Sequence, residues 1–265
     1  MPVFRRELQA NSRSWLVWTI ALAALNLLMM WVFPSFRQDT ANMEAVMELF
    51  PEAFAKIFGL DQLSLADPIG FYATEAYFMV MLFGSLYAAI LGASILSKEE
   101  DDKTIEFLLA RPISRTRLLA GKLLALLTLL VLFNLVIGLV TFAAFAIFDV
   151  GEYSAATLLR LLTTPFLAHI TFAAFAFCLA LFFIRRKSAT SMAIGMVVGL
   201  YFVDVLATLS DKFELLRYLT PYHYVNAVDI VHNGIDPVNV LVLLGATAVA
   251  VGTSFFLYRR RDITV

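Results

Sequence analysis

The chain has 265 residues, of which 61% are hydrophobic, 14% aromatic and only 15% charged. A soluble domain is about 45–50% apolar and about 25% charged, so this composition carries more apolar surface than one globular core can hide and indicates an integral membrane protein. Twenty Lys and Arg stand against twenty-one Asp and Glu, a formal net charge of −1. That balance excludes the basic excess a nucleic-acid binder needs, and the single Cys178 permits no intramolecular disulfide.

A membrane-crossing helix needs about 20 mostly apolar residues, and six segments qualify: 15–34, 76–96, 123–148, 161–184, 188–209 and 238–258. Arg5, Arg6 and Arg13 ahead of the first run imitate a signal peptide. The run is nevertheless longer than an h-region of about 7–15 residues, and no A-x-A follows, so it reads as a retained span. Fifteen of the twenty basic residues fall in the N-terminal arm, the 97–122 loop, the Arg185-Arg186-Lys187 turn and the Arg259-Arg260-Arg261 tail. Basic loops stay inside, so both termini are expected in the cytoplasm. The expected fold class is an all-α integral membrane protein, one membrane domain over residues 1–265.

In 35–70, Met43, Val46, Met47, Phe50, Phe54, Ile57 and Phe58 recur at helical spacing opposite Glu44, Glu48 and Glu52. The pattern predicts an amphipathic helix on the outer surface, bent near Pro51. In 210–237, the stretch from Phe213 to Leu219, then Pro221, Tyr222, Tyr224, Val225 and Val228, predicts two short helices dipping toward the outer leaflet, with a partly ordered loop as the alternative.

The loop from 97 to 122 reads SKEEDDKTIEFLLARPISRTRLLAGK. Ser97 and Glu100 have the spacing of a capping box, or merely let the second span's helix restart beyond the membrane. Thr104 to Ala110 can form two helical turns that cluster Ile105, Leu108 and Leu109 beside Phe107, and Pro112 stops them. Ser114 can cap the next helix, which enters the membrane past Arg115, Arg117 and Lys122. An apolar patch offered to the cytoplasm between charged flanks suits a partner's groove better than it suits a solvated loop.

Glu100-x-x-Lys103-Thr104-x-Glu106-x-Leu108-Leu109-x-x-Pro112-Ile113-Ser114-Arg115, followed by Gly121-Lys122, resembles the loop of type-2 ABC exporter permeases, which commonly reads E-x-x-G-T-x-E-x-L-L-x-x-P-x-S-R. Lys103 stands where that family often has Gly. The six spans, an outer amphipathic segment before the last of them and Leu219-Thr220-Pro221-Tyr222 within it extend the resemblance. It implies that the loop is a coupling helix seated in a groove of a separate ATPase subunit. Glu100, Thr104, Ile105, Glu106, Phe107, Leu108 and Leu109 would then meet the ATPase, with Pro112 and Arg115 setting the joint to the third span. It also implies two ATPase copies holding ATP and Mg, a second permease copy or homologue, and export across the plasma membrane of a bacterium or archaeon. This chain has no Walker A of its own: at the only Gly-Lys pair, Gly121-Lys122, Thr116 replaces the first Gly and Leu123 the Ser/Thr. No cofactor is therefore expected in it.

Ionisable groups within spans are functional candidates. Asp204 lies 16 residues into the fifth span, about 24 Å from its cytoplasmic end, and Glu75 flanks the outer end of the second. Both read as hydrated acids near the outer interface, and a secondary transporter or ion pathway built on them is the alternative function. Asn26, Asn134 and His169 lie deeper and favour interhelical hydrogen bonds over a substrate path. Ser191, Gly195 and Gly199 form a small-x-x-x-small series for packing within the bundle or across a dimer. Metalloprotease chemistry lacks H-E-x-x-H, Glu99-Glu100 is followed by Thr104 where E-E-x-x-x-R needs Arg, and His223, Asp229 and His232 make only a weak metal set. A non-transporting scaffold is the remaining class. Twenty-four Phe residues lean the substrate toward drugs, amphipathic peptides or lipids.

Overall fold

The computed structural model describes residues 2–38, 51–101 and 114–260, and among these every regular element is helical. In chain order they are α1 (Pro2–Gln38), α2 (Glu52–Phe58), α3 (Pro68–Phe71), a π-helical turn (Tyr72–Ala76), α4 (Tyr77–Asp101), α5 (Arg115–Ile147), α6 (Ala155–Thr163), α7 (Pro165–Ala180) and α8 (Arg186–Leu209). Two 3₁₀ segments (Asp211–Leu219 and His223–Val225), α9 (Ala227–Asn233) and α10 (Pro237–Arg260) complete them. Six stretches are long and apolar enough to cross a membrane, in the six places the hydropathy marks. The protein is an all-α, multi-pass membrane protein.

The helices overrun the apolar runs that betray them. The 37 residues of α1 span about 55 Å, well beyond a hydrocarbon core of about 30 Å, and the helix passes through Pro34 to Gln38. Helix α5 starts at Arg115, where the Ser114 hydroxyl accepts the Arg117 N–H at 3.3 Å, as the cap pattern predicts. Ser97 is no cap: α4 runs unbroken past it, and its buried hydroxyl donates to the Ala93 carbonyl at 2.8 Å. The fourth crossing is two helices, because Pro165 lacks the N–H to continue α6 and starts α7 instead.

Helix α4 is the hub. It packs most extensively on α7 and also meets α8, while α1 lies along α5 and α10 along α7. Its buried residues surround the helix, among them Val80, Tyr87, Ala88, Leu91 and Ile95, so no polar face is left to give it amphipathic character. The close approach of α4 to α7 runs through Gly84, Ala88 and Gly92. A Cβ on Gly84 would enter the His169 ring, and one on Gly92 would strike the Ala173 carbonyl. This small-residue seam is where the backbones meet. The series marked in the sequence, Ser191, Gly195 and Gly199, lies elsewhere: all three are exposed, and among the described residues nothing stands within 4 Å of a Cβ built on either glycine. Amphipathic spacing cannot show which of two small-residue series finds a partner.

The two connecting segments also differ in detail from their sequence patterns. Of the 35–70 helix, Met43, Val46, Met47 and Phe50 lie outside the described residues. Pro51 is the extended cap of α2 (ψ 144°), so the proline begins this helix. The 210–237 stretch forms two 3₁₀ segments and α9, with Leu215 and Leu219 exposed.

The seam can be tested with one methyl group. Gly92→Ala should cost about 1–3 kcal/mol because backbone, not a yielding side chain, blocks the space. Gly245→Ala on α10, where nothing stands within 4 Å, should be neutral or stabilising by up to about 1 kcal/mol. Thermal unfolding of the purified protein, followed by labelling of the lone Cys178, measures both.

Candidate functional site

Two places in the bundle concentrate polar groups, one at the end that carries the termini and one at the far end. At the termini end, α1 contributes Glu7, α4 contributes Lys98 and Glu99, and α5 contributes Lys122. Glu7, Glu99 and Lys122 are each no more than 2% exposed. Ammonium Nζ of Lys122 donates to Glu99 Oε2 at 2.5 Å, to the Ile95 carbonyl at 2.5 Å and to Glu7 Oε1 at 3.2 Å. Lys98 Nζ donates to Glu7 Oε2 at 2.6 Å, and Asn11 Nδ2 donates to the same oxygen at 3.4 Å. Two carboxylates and two ammoniums thus cancel in a site closed to water.

Burial of three charges beside a partly buried fourth is tolerable only with such mutual pairing, since each unpaired ion costs several kcal/mol. The geometry ties α1, α4 and α5 together just where α4 leads into the 102–113 segment and α5 leads out of it. On the same end, the Arg115 guanidinium reaches the last carbonyls of α10, Tyr258 at 3.5 Å and Arg259 at 3.4 Å. Of the coupling residues marked in the sequence, Arg115 lies within the described residues, as the first residue of α5. The Glu100 side chain and Thr104, Ile105, Glu106, Phe107, Leu108, Leu109 and Pro112 lie outside the described residues. Glu7 carried no sequence signal beyond being the one acid in a basic arm.

Halfway across, the polar residues bond between helices. Asn26 is fully buried; its Oδ1 accepts from Thr141 of α5 at 3.1 Å, and its Nδ2 donates to its own helix at Leu22. His169 of α7 joins three helices, with Nδ1 2.9 Å from Asn134 Oδ1 of α5 and Nε2 3.2 Å from the Val80 carbonyl of α4. Gly84 leaves the space its ring occupies.

At the far end, a cavity of about 440 Å³ opens between the start of α4, the end of α8, α2 and the 3₁₀ segments. Asp204 lines it and Glu75 does not, so the two acids are not brought together there. Among the described residues, the Asp204 carboxylate has no hydrogen bond or ion pair. The π-helical turn at Tyr72–Ala76 precedes the cavity's Tyr77 and Phe78, and such turns commonly reset a helix face at a site. His223 does not assemble a metal set with Asp229 and His232, and no such group of three occurs among the described residues. Instead it accepts from Arg217 Nε at 3.4 Å and meets Tyr218 edge-on and Tyr224 at a tilt, each with ring centroids 5.1 Å away. Burial, and then the Arg217 charge, hold its pKa below the ordinary value against the pull of Asp229; the ring is neutral at pH 7 and donates no cation to the cavity.

The charge cluster makes a quantitative demand. Lys122→Gln strands buried carboxylates and should destabilise the protein by about 3–5 kcal/mol. Glu99→Gln combined with it restores neutrality and should recover about 1 kcal/mol or more relative to the sum of the single changes. A double-mutant cycle on thermal unfolding in detergent measures the coupling; additive effects would show that the carboxylate and the ammonium do not interact.

A sequence profile described as ABC-2 family transporter protein matches residues 1–263. No curated protein matches the chain. The matched range takes in all six crossings, both stems of the 102–113 segment and the far-end cavity. Nearly the whole chain is thus covered, and it belongs to the ABC-2 transporter family as a membrane permease component of an ABC transporter.

Proposed function

We propose that this permease is the transmembrane half of an exporter driven by a separate ATPase, with ATP and Mg bound by that subunit and residues 100–115 as the seat for it. Family membership over 1–263 carries the reading, and the charge cluster at both stems of the segment supports it. A force applied at the segment cannot be lost in a flexible hinge, because α4 and α5 are joined by the Lys122–Glu99 pair and α1 by Glu7. The load passes to α4, and from α4 through the Gly84–Gly92 seam and His169 to α7. A rigid-body rocking of packed helices is the movement such joints allow.

In this reading the basic end with both termini is cytoplasmic, following the Lys and Arg distribution, and the host membrane is the cell membrane of a bacterium or archaeon. A complex of two permeases and two ATPases follows from the same resemblance. The face for the second permease, identical or homologous, is α8, the least covered crossing, whose exposed Ser191, Gly195 and Gly199 allow another backbone to come close. The substrate is hydrophobic or amphipathic. An ion pathway through Asp204 and Glu75 loses its main support because only Asp204 lines the cavity.

Leu108→Asp places a charge in the apolar patch of the seat. The expected result in reconstituted vesicles is a loss of ATP-driven export of about tenfold or more, as a buried unpaired charge at an interface requires, with an unchanged unfolding midpoint of the permease. Undiminished export would refute the seat.

A further inference from the structure

The far-end cavity has a lining that recognises one class of ligand. Its floor is a chain of aromatic rings contributed by four different elements: Phe58 and Phe78 with centroids 5.3 Å apart, Phe78 and Tyr201 at 5.6 Å, and Tyr201 and Tyr222 at 5.9 Å. Asp204 follows Tyr201 by three residues on α8, so both sit on one face of that helix. The carboxylate is neither fully exposed nor paired with any described residue. An acid in such surroundings, unpaired, is a functional group awaiting a partner.

Of the other charges of the lining, Arg217 acts on Asp204 through space, with no hydrogen bond or ion pair between the two side chains. The Arg217 guanidinium is engaged by Glu214 at 3.6 Å and by His223 at 3.4 Å, and Lys56 stands exposed at the rim. With Asp229, the lining holds three carboxylates against two cations. A negative balance, an unpaired acid and facing aromatic rings together favour a cation, which gains from both the carboxylate and the ring quadrupoles. An anion would meet a lining of net negative charge. The volume of about 440 Å³ lies within the range of about 300–1,000 Å³ usual for small-molecule sites, far above what a bare metal ion needs.

We infer that this cavity binds a monovalent organic cation, a quaternary ammonium or phosphonium on an apolar or aromatic body, with Asp204 as the counter-charge and Tyr201, Phe78 and Tyr222 as the aromatic wall. Calling that ligand a substrate rests on the exporter reading; the binding itself does not.

Tritiated tetraphenylphosphonium tests the site on the detergent-purified complex with its ATPase, using tetraphenylborate as an anion of the same shape. Wild-type protein is expected to show saturable phosphonium binding that tetraphenylborate displaces at least about tenfold less well than unlabelled phosphonium, a sign preference set by the carboxylate. Asp204→Asn should weaken phosphonium binding by about tenfold or more, and Tyr201→Leu by about two- to fivefold, both with unchanged unfolding midpoints. Equal displacement by the two ions, no saturable binding, or retention of wild-type affinity in Asp204→Asn would overturn the assignment. If Asp204→Asn fails to fold, the wild-type sign preference and the Tyr201→Leu affinity decide. The exporter reading is judged separately, by ATP-dependent uptake of the phosphonium into inverted vesicles. Selective binding without such uptake keeps the site and removes its role as a substrate site, while loss of selectivity removes the site and leaves the Leu108→Asp result standing.

Discussion

A cluster of four charges, three of them buried, decides how this bundle is assembled at the end that carries its termini. Lys122 is almost wholly enclosed, and an ammonium in that position is stable only where carboxylates surround it. Because Glu7 comes from the first crossing and Glu99 from the second, satisfying Lys122 sets the relative depth of three helices at once. Apolar packing cannot impose this condition: lipid is as good a neighbour for Leu or Phe as another helix is, so a sliding helix loses little. A charge pair at 2.5 Å loses its whole interaction when one helix slips by a turn.

From this anchor the order of the bundle follows. Helix α4 shares the charge cluster with α1 and α5 at one end, and along its length it offers Gly84 and Gly92 to α7. Small residues bring the backbones together, and the one large polar group between them, His169, uses the space Gly84 leaves to bond both α4 and α5. The two kinds of joint have different physics. The charge cluster depends on exact compensation in a dry site, whereas the glycine seam depends on an absence of atoms. Together they tie α4 to its neighbours from the termini end to the seam with α7.

The far end is built on other terms. Short 3₁₀ segments, α2 and the π-helical turn surround the cavity in place of long helices, and an unpaired carboxylate stands among aromatic rings. The termini end satisfies its charges internally; at the far end, among the described residues, the Asp204 carboxylate has no hydrogen bond or ion pair. A protein that must hold its shape at one end and engage a ligand at the other would distribute its polar groups in this way.

The crossings were legible from residues 15–34 through 238–258 because a bilayer imposes length and apolarity on any helix that spans it. The Ser114 cap and the interhelical bonding of Asn26, Asn134 and His169 were legible for a similarly local reason: a hydroxyl before a helix and an amide or imidazole in hydrocarbon each need a partner nearby. The tertiary structure alone revealed that Glu7, 115 residues from Lys122, is that lysine's counter-ion, since charge signs in a sequence carry no distance. It alone showed the seam at Gly84 and Gly92 in place of the exposed Gly195 and Gly199, because small residues mark where a neighbour can come close without naming one. That Asp204 lines the far-end cavity and Glu75 does not was decided at the same level: depth along a helix can be counted in residues, but which way a side chain faces depends on how the helices pack.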